Sequence, residues 1–185
     1  MRRVRYNVAA SLDGYIAGPN GEFDWIPHDP AVDFQALFAD VDTVLLGRHS
    51  YELVVRTGTP PWVSGARVYV FSATMNGALH PGVTVVNSDA AGVVAGLRAE
   101  RGTGEIWLFG GGILFRSLLE AGQVDTVEVS VVPVLLGGGV PLLPPGSGRL
   151  ALELTGTRSY PSGIVTLSYE VKGRTPPPEA GTAVA

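Results

Sequence analysis

Three short stretches of the chain hold the residue types that bind an anion. "LFGGGILFRSLLEAG" (108–122) reads as a strand running into a helix, with Gly110, Gly111 and Gly112 at the junction. The first N–H groups of a helix have no intrahelical partner, and the helix dipole favours negative charge there. Residues without Cβ let a phosphate reach that backbone. They serve a tight strand–helix connection equally well. The spacing is not G-x-G-x-x-G and no Lys-Ser/Thr pair follows, which excludes the dinucleotide fingerprint and the P-loop. "LLGRHSYE" (45–52) ends a buried strand at Gly47 and places Arg48 and Ser50 just beyond it. A guanidinium in that position suits bidentate bonding to phosphate, and Ser50 suits either the phosphate or a helix cap. "VYVFSATM" (69–76) ends a third strand in Ser72 and Thr74. On one sheet, three such ends build a single groove for a phosphorylated ligand.

The elements that must position these residues alternate. Strands are predicted over 3–10, 43–47, 67–72, 83–86, 105–109 and 125–133. A helix is predicted over 29–42, with Asp29 as N-cap, Pro30 at the first helical position, and Phe34, Leu37, Phe38 and Val41 as its apolar stripe. A second helical stretch starts near Arg48. A third spans 89–102, capped by Asp89 and ended by Gly102. The runs 150–160 and 163–173 flank Pro161-Ser162 and read as an antiparallel hairpin. The pattern predicts an α/β fold, mostly parallel, with antiparallel strands at the C-terminal edge. The tail "RTPPPEAGTAVA" has no apolar periodicity and reads as disordered. The chain is one domain over 1–172, followed by the tail 173–185.

Composition narrows the chemistry. Of 185 residues, 45% are hydrophobic and 16% charged, which fits a packed globular domain. A net charge of −4 argues against nucleic acid and against an anionic membrane surface. With no cysteine, disulfides, thiolate catalysis and Cys-based metal sites are excluded. His28, His49 and His80 are too widely spaced for a His-rich metal site. No apolar run reaches the roughly 18 residues of a membrane-spanning helix. "MRRVRYNVAA" runs straight into "SLDG" and reads as a first strand, not a signal peptide, so the cytoplasm is the expected compartment.

The strings "LLGRHSYE", "GARVYVFSATM" and "EIWLFGGGILFRSLLEAGQVDTVEVSVV" together resemble the cofactor-binding strand ends of the dihydrofolate reductase superfamily. "VAASLDGYIAG" (8–18) and "VVPVLLGGGVPLL" (131–143) resemble one branch of it more closely. That branch is the C-terminal reductase domain of bifunctional riboflavin-biosynthesis deaminase/reductases, with its stand-alone relatives. The resemblance covers residues 3–171. It implies a dihydrofolate-reductase-like three-layer α/β/α fold and NADPH as cofactor. It implies that Gly47, Arg48, His49 and Ser50 hold the adenosine 2′-phosphate and the pyrophosphate. Phe71 and Ser72 would flank the adenine and its ribose phosphate; the second hydroxyl frequent in the family is replaced by Ala73. Phe109, Gly110, Gly111 and Gly112 would pass beneath the pyrophosphate toward the nicotinamide, with the helix from Ile113 lending its dipole. Ala9, Ala10 and Ile16 would line the nicotinamide side. Phe115 stands where dihydrofolate reductases often carry a tyrosine.

Hydride transfer to C=N or C=O needs a proton at the adjoining heteroatom, from a carboxylic acid or from water. Asp33 lies four residues before Leu37 and borders the expected buried face of the first helix, where a half-buried carboxyl would be held in its neutral form. By resemblance Ser130 would be its hydroxyl partner. Asp13 is the alternative, with Ser11 beside it at the mouth of the site; Asp13-Gly14 is also a strong turn dipeptide. The function implied is an NADPH-dependent reduction of a small heterocycle. The substrate is either the 5-amino-6-(5-phosphoribosylamino)uracil of riboflavin synthesis or dihydrofolate. Without cysteine the chain is at most the reductase half of the bifunctional enzyme. A non-catalytic nucleotide-binding protein on the same fold is the reading from another class. The family often forms homodimers, and the apolar hairpin Leu150 to Val171 suits such a surface.

Overall fold

Alternation along the strands sends side chains to two different layers. On β6 (Glu105–Gly110), Ile106 and Leu108 enter one core and Trp107 the other. On β3 (Val41–Gly47), Leu45 joins the first core while Val44 and Leu46 join the second. Both faces of the central strands are therefore apolar, as a parallel sheet covered by helices requires. The computed structural model describes residues 1–58, 65–146 and 148–175, with the backbone alone over 173–175.

The remaining elements are β1 (Val4–Ser11), β2 (Tyr15–Ala17), α1 (Phe34–Phe38), α2 (Arg48–Thr57), β4 (Arg67–Phe71), β5 (Thr84–Val86), α3 (Ala90–Ala99), α4 (Gly112–Glu120), β7 (Thr126–Val132), β8 (Val140–Pro141), β9 (Arg149–Ser159) and β10 (Val165–Thr175). One eight-stranded sheet has the order β5-β4-β3-β6-β1-β7-β10-β9, and β2 pairs with β8 in a small second sheet. The strands from β5 to β7 run parallel, while β10 pairs antiparallel with β7 and with β9. α3 and α4 pack on one face, against Tyr6, Leu108 and Val129. α1 and α2 pack on the other, where Phe38, Tyr51 and Val54 meet Leu46, Val70 and Trp107. This is the expected three-layer α/β/α arrangement, with the antiparallel hairpin at the C-terminal edge.

Several boundaries differ from expectation. The first helix is only Phe34–Phe38, and its N-cap is Asp33, whose carboxylate accepts from Ala36 N at 2.9 Å. Asp29 has a long-range partner instead: its carboxylate accepts from Ala31 N at 2.8 Å and from Ser162 N at 3.0 Å. Val41 leaves the stripe because it pairs with Glu105 as the start of β3. α3 stops at Ala99, short of Gly102, where Glu100 turns extended and bonds Arg67 and Arg2. β10 runs to Thr175, three residues past the expected domain end. The rest of the expected tail, 176–185, lies outside the described residues.

Candidate active site

A long cleft follows the C-terminal ends of the parallel strands. It is walled by Gly47 at the end of β3, Phe71 to Ala73 at the end of β4, Val86 to Asp89 at the end of β5, Phe109 to Ile113 at the end of β6, Ala9 on β1, and Ser130 and Val132 on β7. Ligands on open α/β sheets bind at that edge. The three stretches separated in sequence thus meet in one groove, because parallel strands of similar length bring all their carboxyl ends to one side of the sheet.

The three glycines each have a separate task. Gly110 has φ +139°, a conformation that a side chain would strain. Gly111 is the N-cap of α4, and a Cβ on it would sit 3.4 Å from Ser50 Oγ. Gly112 faces protein: a Cβ there would lie 2.7 Å from the Pro141 carbonyl oxygen and 2.9 Å from Pro144. The open backbone is therefore at Gly110 and Gly111, while Gly112 admits the loop after β8.

Capping separates the helices. α1 and α3 are capped by Asp33 and Asp89. α2 and α4 begin at Gly47 and Gly111 with no side-chain cap, and both starts open into the cleft. Their leading N–H groups are left for a ligand or for solvent. At the β4 end, Arg48 Nε donates to Glu52 Oε1 at 2.7 Å and Nη1 donates to Thr74 Oγ1 at 3.1 Å. The hydrogen bond from Arg48 holds the Glu52 carboxyl below its usual range, so the carboxylate is ionised. His49 is exposed, with Nδ1 3.4 Å from Glu52 Oε2. Ser72 Oγ accepts from Met75 N at 3.2 Å, bracing the turn that presents Thr74. Thr74 and Glu52 were not assigned to Arg48 from sequence; the i, i+4 spacing of Arg48 and Glu52 was the available signal.

The other end of the cleft is walled by Asn7, Val8 and Ala9 of β1, Ile16 of β2, Ser130 of β7, α1, and the loop before it. Ala10 faces the opposite layer, since β1 alternates, and is packed in the α4 core. Phe115 likewise points away, stacked on Tyr6 with ring centroids 3.8 Å apart, so it takes no tyrosine's place in this cleft. Asp33 is exposed, is spent on capping α1, and is not a wall residue, which corrects the half-buried placement. Ser130 does not pair with it; its Oγ lies 2.8 Å from Thr166 Oγ1, its neighbour in register on β10. Asp13 is outside the walls too. It accepts from Ser11 Oγ at 2.7 Å, Gly137 N at 2.7 Å and Leu136 N at 3.1 Å. These bonds, led by that from Ser11, pull its carboxyl down to about 2, so it is ionised at neutral pH and holds no proton to give. Ser11 and Asp13 together clamp the β1–β2 turn to the loop after β7.

An aromatic row went unrecognised in the sequence. Phe34 stacks toward Phe38 (centroids 6.5 Å, 23° between planes), Phe38 lies on Trp107 (3.9 Å, 23°), and Trp107 meets Phe109 edge-on (5.1 Å, 67°). The i, i+4 spacing of Phe34 and Phe38 was legible, but as a core stripe. Among the described residues no group of His, Asp and Glu is placed to hold a metal ion. No helix among them is long and apolar enough to cross a membrane.

Residues 2–166 match the family model of the RibD C-terminal domain. The chain belongs to the RibD C-terminal domain family. Its activity class is that of a reductase of the riboflavin-biosynthesis branch, on the dihydrofolate-reductase-like fold. Among curated proteins it is 34% identical over 183 residues to the "Uncharacterized protein YyaP" of Bacillus subtilis, covering 93% of this chain and 96% of that one. Among solved structures, a "Putative riboflavin biosynthesis protein" of Shewanella sp. PV-4 superposes with a TM-score of 0.79 at 28% identity, covering 94% of this chain and all of the other. Dihydrofolate reductase of Enterococcus faecalis, solved with NADP(H), shares the fold at TM-score 0.64 and 19% identity, over 94% of this chain and 97% of that one.

Proposed function

We propose that this reductase domain binds NADPH along the strand ends and reduces a small cyclic substrate in the other half of the cleft. The observation that carries this is the pair of uncapped helix starts, α2 and α4, opening into one groove beside Arg48. A pyrophosphate would satisfy the N–H groups at Gly47 to Ser50 and at Gly111 to Ile113, and the bare backbone at Gly110 and Gly111 leaves room for it. Arg48 Nη1 and Nη2, with the Thr74 hydroxyl, would take the 2′-phosphate, because Nε is already committed to Glu52. Phe71 and Ser72 would flank the adenosine. The nicotinamide would reach the β6 end, between Gly110 and the Val8–Ala9–Ile16 wall. When bound, the dinucleotide supplies the hydride. The chain's part is to hold the two rings in contact and to keep bulk water off one face. Asp13 and Asp33 are engaged outside the cleft, so water is the proton source in this reading.

We further propose a homodimer. The β9–β10 hairpin turns Leu150, Leu152, Leu167 and Tyr169 toward a groove beside α4, and Leu152 and Leu154 are exposed. A second copy covering this face would form an isologous contact, the commonest oligomeric arrangement. Leu152→Asp should then shift the mass measured by light scattering from dimer to monomer. A chain with no cysteine that draws on NADPH fits the cytoplasm. The cofactor reading is tested by titrating the purified protein with NADPH and following nicotinamide fluorescence. Saturable binding in the micromolar range is expected, and none at high micromolar cofactor ends the reading.

A further inference from the structure

A two-stranded flap supplies part of the cleft wall. β2 and β8 pair with each other and not with the main sheet. Ile16 and Ala17 of β2, Gly139 just before β8, and Val140 and Pro141 of β8 are all cleft residues. Where this wall stands depends on what holds the two strands. Its exit is fastened to α4. Gly112 leaves room for the Pro141 carbonyl and for Pro144, and Arg116 Nε donates to the Pro144 carbonyl at 2.5 Å. Arg116 Nη1 also donates to Glu120 at 2.9 Å, one turn along the helix, which fixes the direction of the guanidinium. The Leu142 N–H donates to the Gly14 carbonyl at 2.9 Å.

Its entry is held differently. β7 ends at Val132, and the chain reaches β8 through residues 133–139. The Leu12 N–H donates to the Val134 carbonyl at 2.9 Å. Beyond that bond, the hydrogen bonds that reach residues 135–138 from other described parts of the chain come to one carboxylate. Asp13 accepts from Leu136 N at 3.1 Å and from Gly137 N at 2.7 Å. Gly137, Gly138 and Gly139 follow, a run too free to define its own path. Gly139 has φ +142°, and a Cβ on it would overlap the Ala17 carbonyl oxygen, so the loop backbone lies directly on β2. Asp13 is itself fixed. Ser11 Oγ donates to it at 2.7 Å and accepts from Tyr15 N at 3.0 Å, at the start of β2. One buried hydroxyl and one carboxylate thus tie the first residue of β2 to the segment that leads into β8.

We infer that Asp13 is a positioning residue: from outside the cleft it holds the β2–β8 flap where the flap walls the nicotinamide end. The inference rests on the proposed NADPH reading for what the flap faces, and on the clamp alone for what holds the flap. An amide in place of the carboxylate has one acceptor oxygen instead of two, and its NH₂ group would face a donor. The three donors on Asp13 would then compete for that oxygen, and the loop would lose its hold on the β1–β2 turn.

The test compares two ligands and one ligand-free measurement. Parent and Asp13→Asn are titrated calorimetrically with NADPH and with 2′,5′-ADP, the adenosine half of the cofactor, which ends before the nicotinamide. Amide hydrogen exchange is followed on both proteins without ligand. In Asp13→Asn the amides of residues 15–17 and 136–140 should exchange about tenfold faster or more. NADPH should weaken about fivefold or more, while 2′,5′-ADP stays within about twofold of parental. Gly139→Ala leaves Asp13 in place but forces the loop off β2, so it should give the same split between the two ligands. It also carries the test if Asp13→Asn does not fold. Equal losses on both ligands, the pattern of a general loss of stability, overturn the inference. So does unchanged exchange in the flap, or parental NADPH affinity in either variant. If the parent binds neither ligand, the cofactor reading falls, and the exchange comparison still decides whether Asp13 holds the flap.

Discussion

If Arg48 holds the 2′-phosphate as proposed, replacing it by alanine should separate NADPH from NADH. The Arg48 side chain is 48% exposed, and one of its N–H groups is spent on Glu52 at 2.7 Å. The Nη1/Nη2 edge, with Nη1 on Thr74 Oγ1, is the part of the guanidinium that the proposed 2′-phosphate contact would use. Charge-assisted hydrogen bonds contribute roughly 1.5–3 kcal/mol net when one partner is ionised. Half-exposure and the neighbouring carboxylate place this one near the middle, at about 2 kcal/mol. That is roughly a 30-fold rise in the NADPH dissociation constant, at about 1.4 kcal/mol per tenfold. NADH has no 2′-phosphate, so its affinity should change by less than about threefold on the same arithmetic. Both constants come from nicotinamide fluorescence titrations in low salt. The NADPH loss should shrink as ionic strength rises, because the contact is solvent-screened. Equal losses for the two dinucleotides, or none for NADPH, would refute the placement of the 2′-phosphate at Arg48.

Three further outcomes follow from the geometry. Gly112→Ala puts a Cβ 2.7 Å from the Pro141 carbonyl, and overpacking of that kind costs about 1–3 kcal/mol. Calorimetry should show Tm lower by roughly 3–10 °C, and an unchanged Tm would mean that the 141–144 loop yields freely. Asp13 is held near 2 in the folded chain against an ordinary 3.8, so its stabilising contribution is complete above about pH 4 and fades as pH falls through about 2. Asp13→Asn should therefore be less stable than the parent at neutral pH, and the gap in Tm should close toward pH 2; a gap independent of pH would contradict the assignment. Asp33→Ala removes the cap of α1 at a cost of about 1 kcal/mol and should leave NADPH oxidation within about threefold of parental. A hundredfold loss of turnover with unchanged stability would return Asp33 to proton delivery.

The elements and the strand-end wall of the cleft were legible because they rest on local patterns. Period-two apolar alternation marks β3 and β6, and Gly47 and Gly111 mark helix starts whose amides no side chain covers. Each of those signals is complete within about ten residues. The hairpin was legible for the same reason.

The wall of the cleft beside α1 was not legible, since its residues take their roles from partners far away in the chain. Asp29 reads as a helix cap until the Ser162 turn, 133 residues on, supplies an N–H at 3.0 Å. Asp33 then inherits the cap of α1. Ser130 was paired with an aspartate by resemblance, but sheet register sets Thr166 opposite it. Phe34 and Phe38 are one stripe of one helix in the sequence, and only the packing of α1 over β6 adds Trp107 and Phe109 to make a row. The glycines show both cases at once. A strand–helix junction at 110–112 follows from local chain geometry. That Gly112 makes room for Pro141 and Pro144, while Gly110 and Gly111 stay open to the cleft, depends on where the loop after β8 returns, and only tertiary structure decides that.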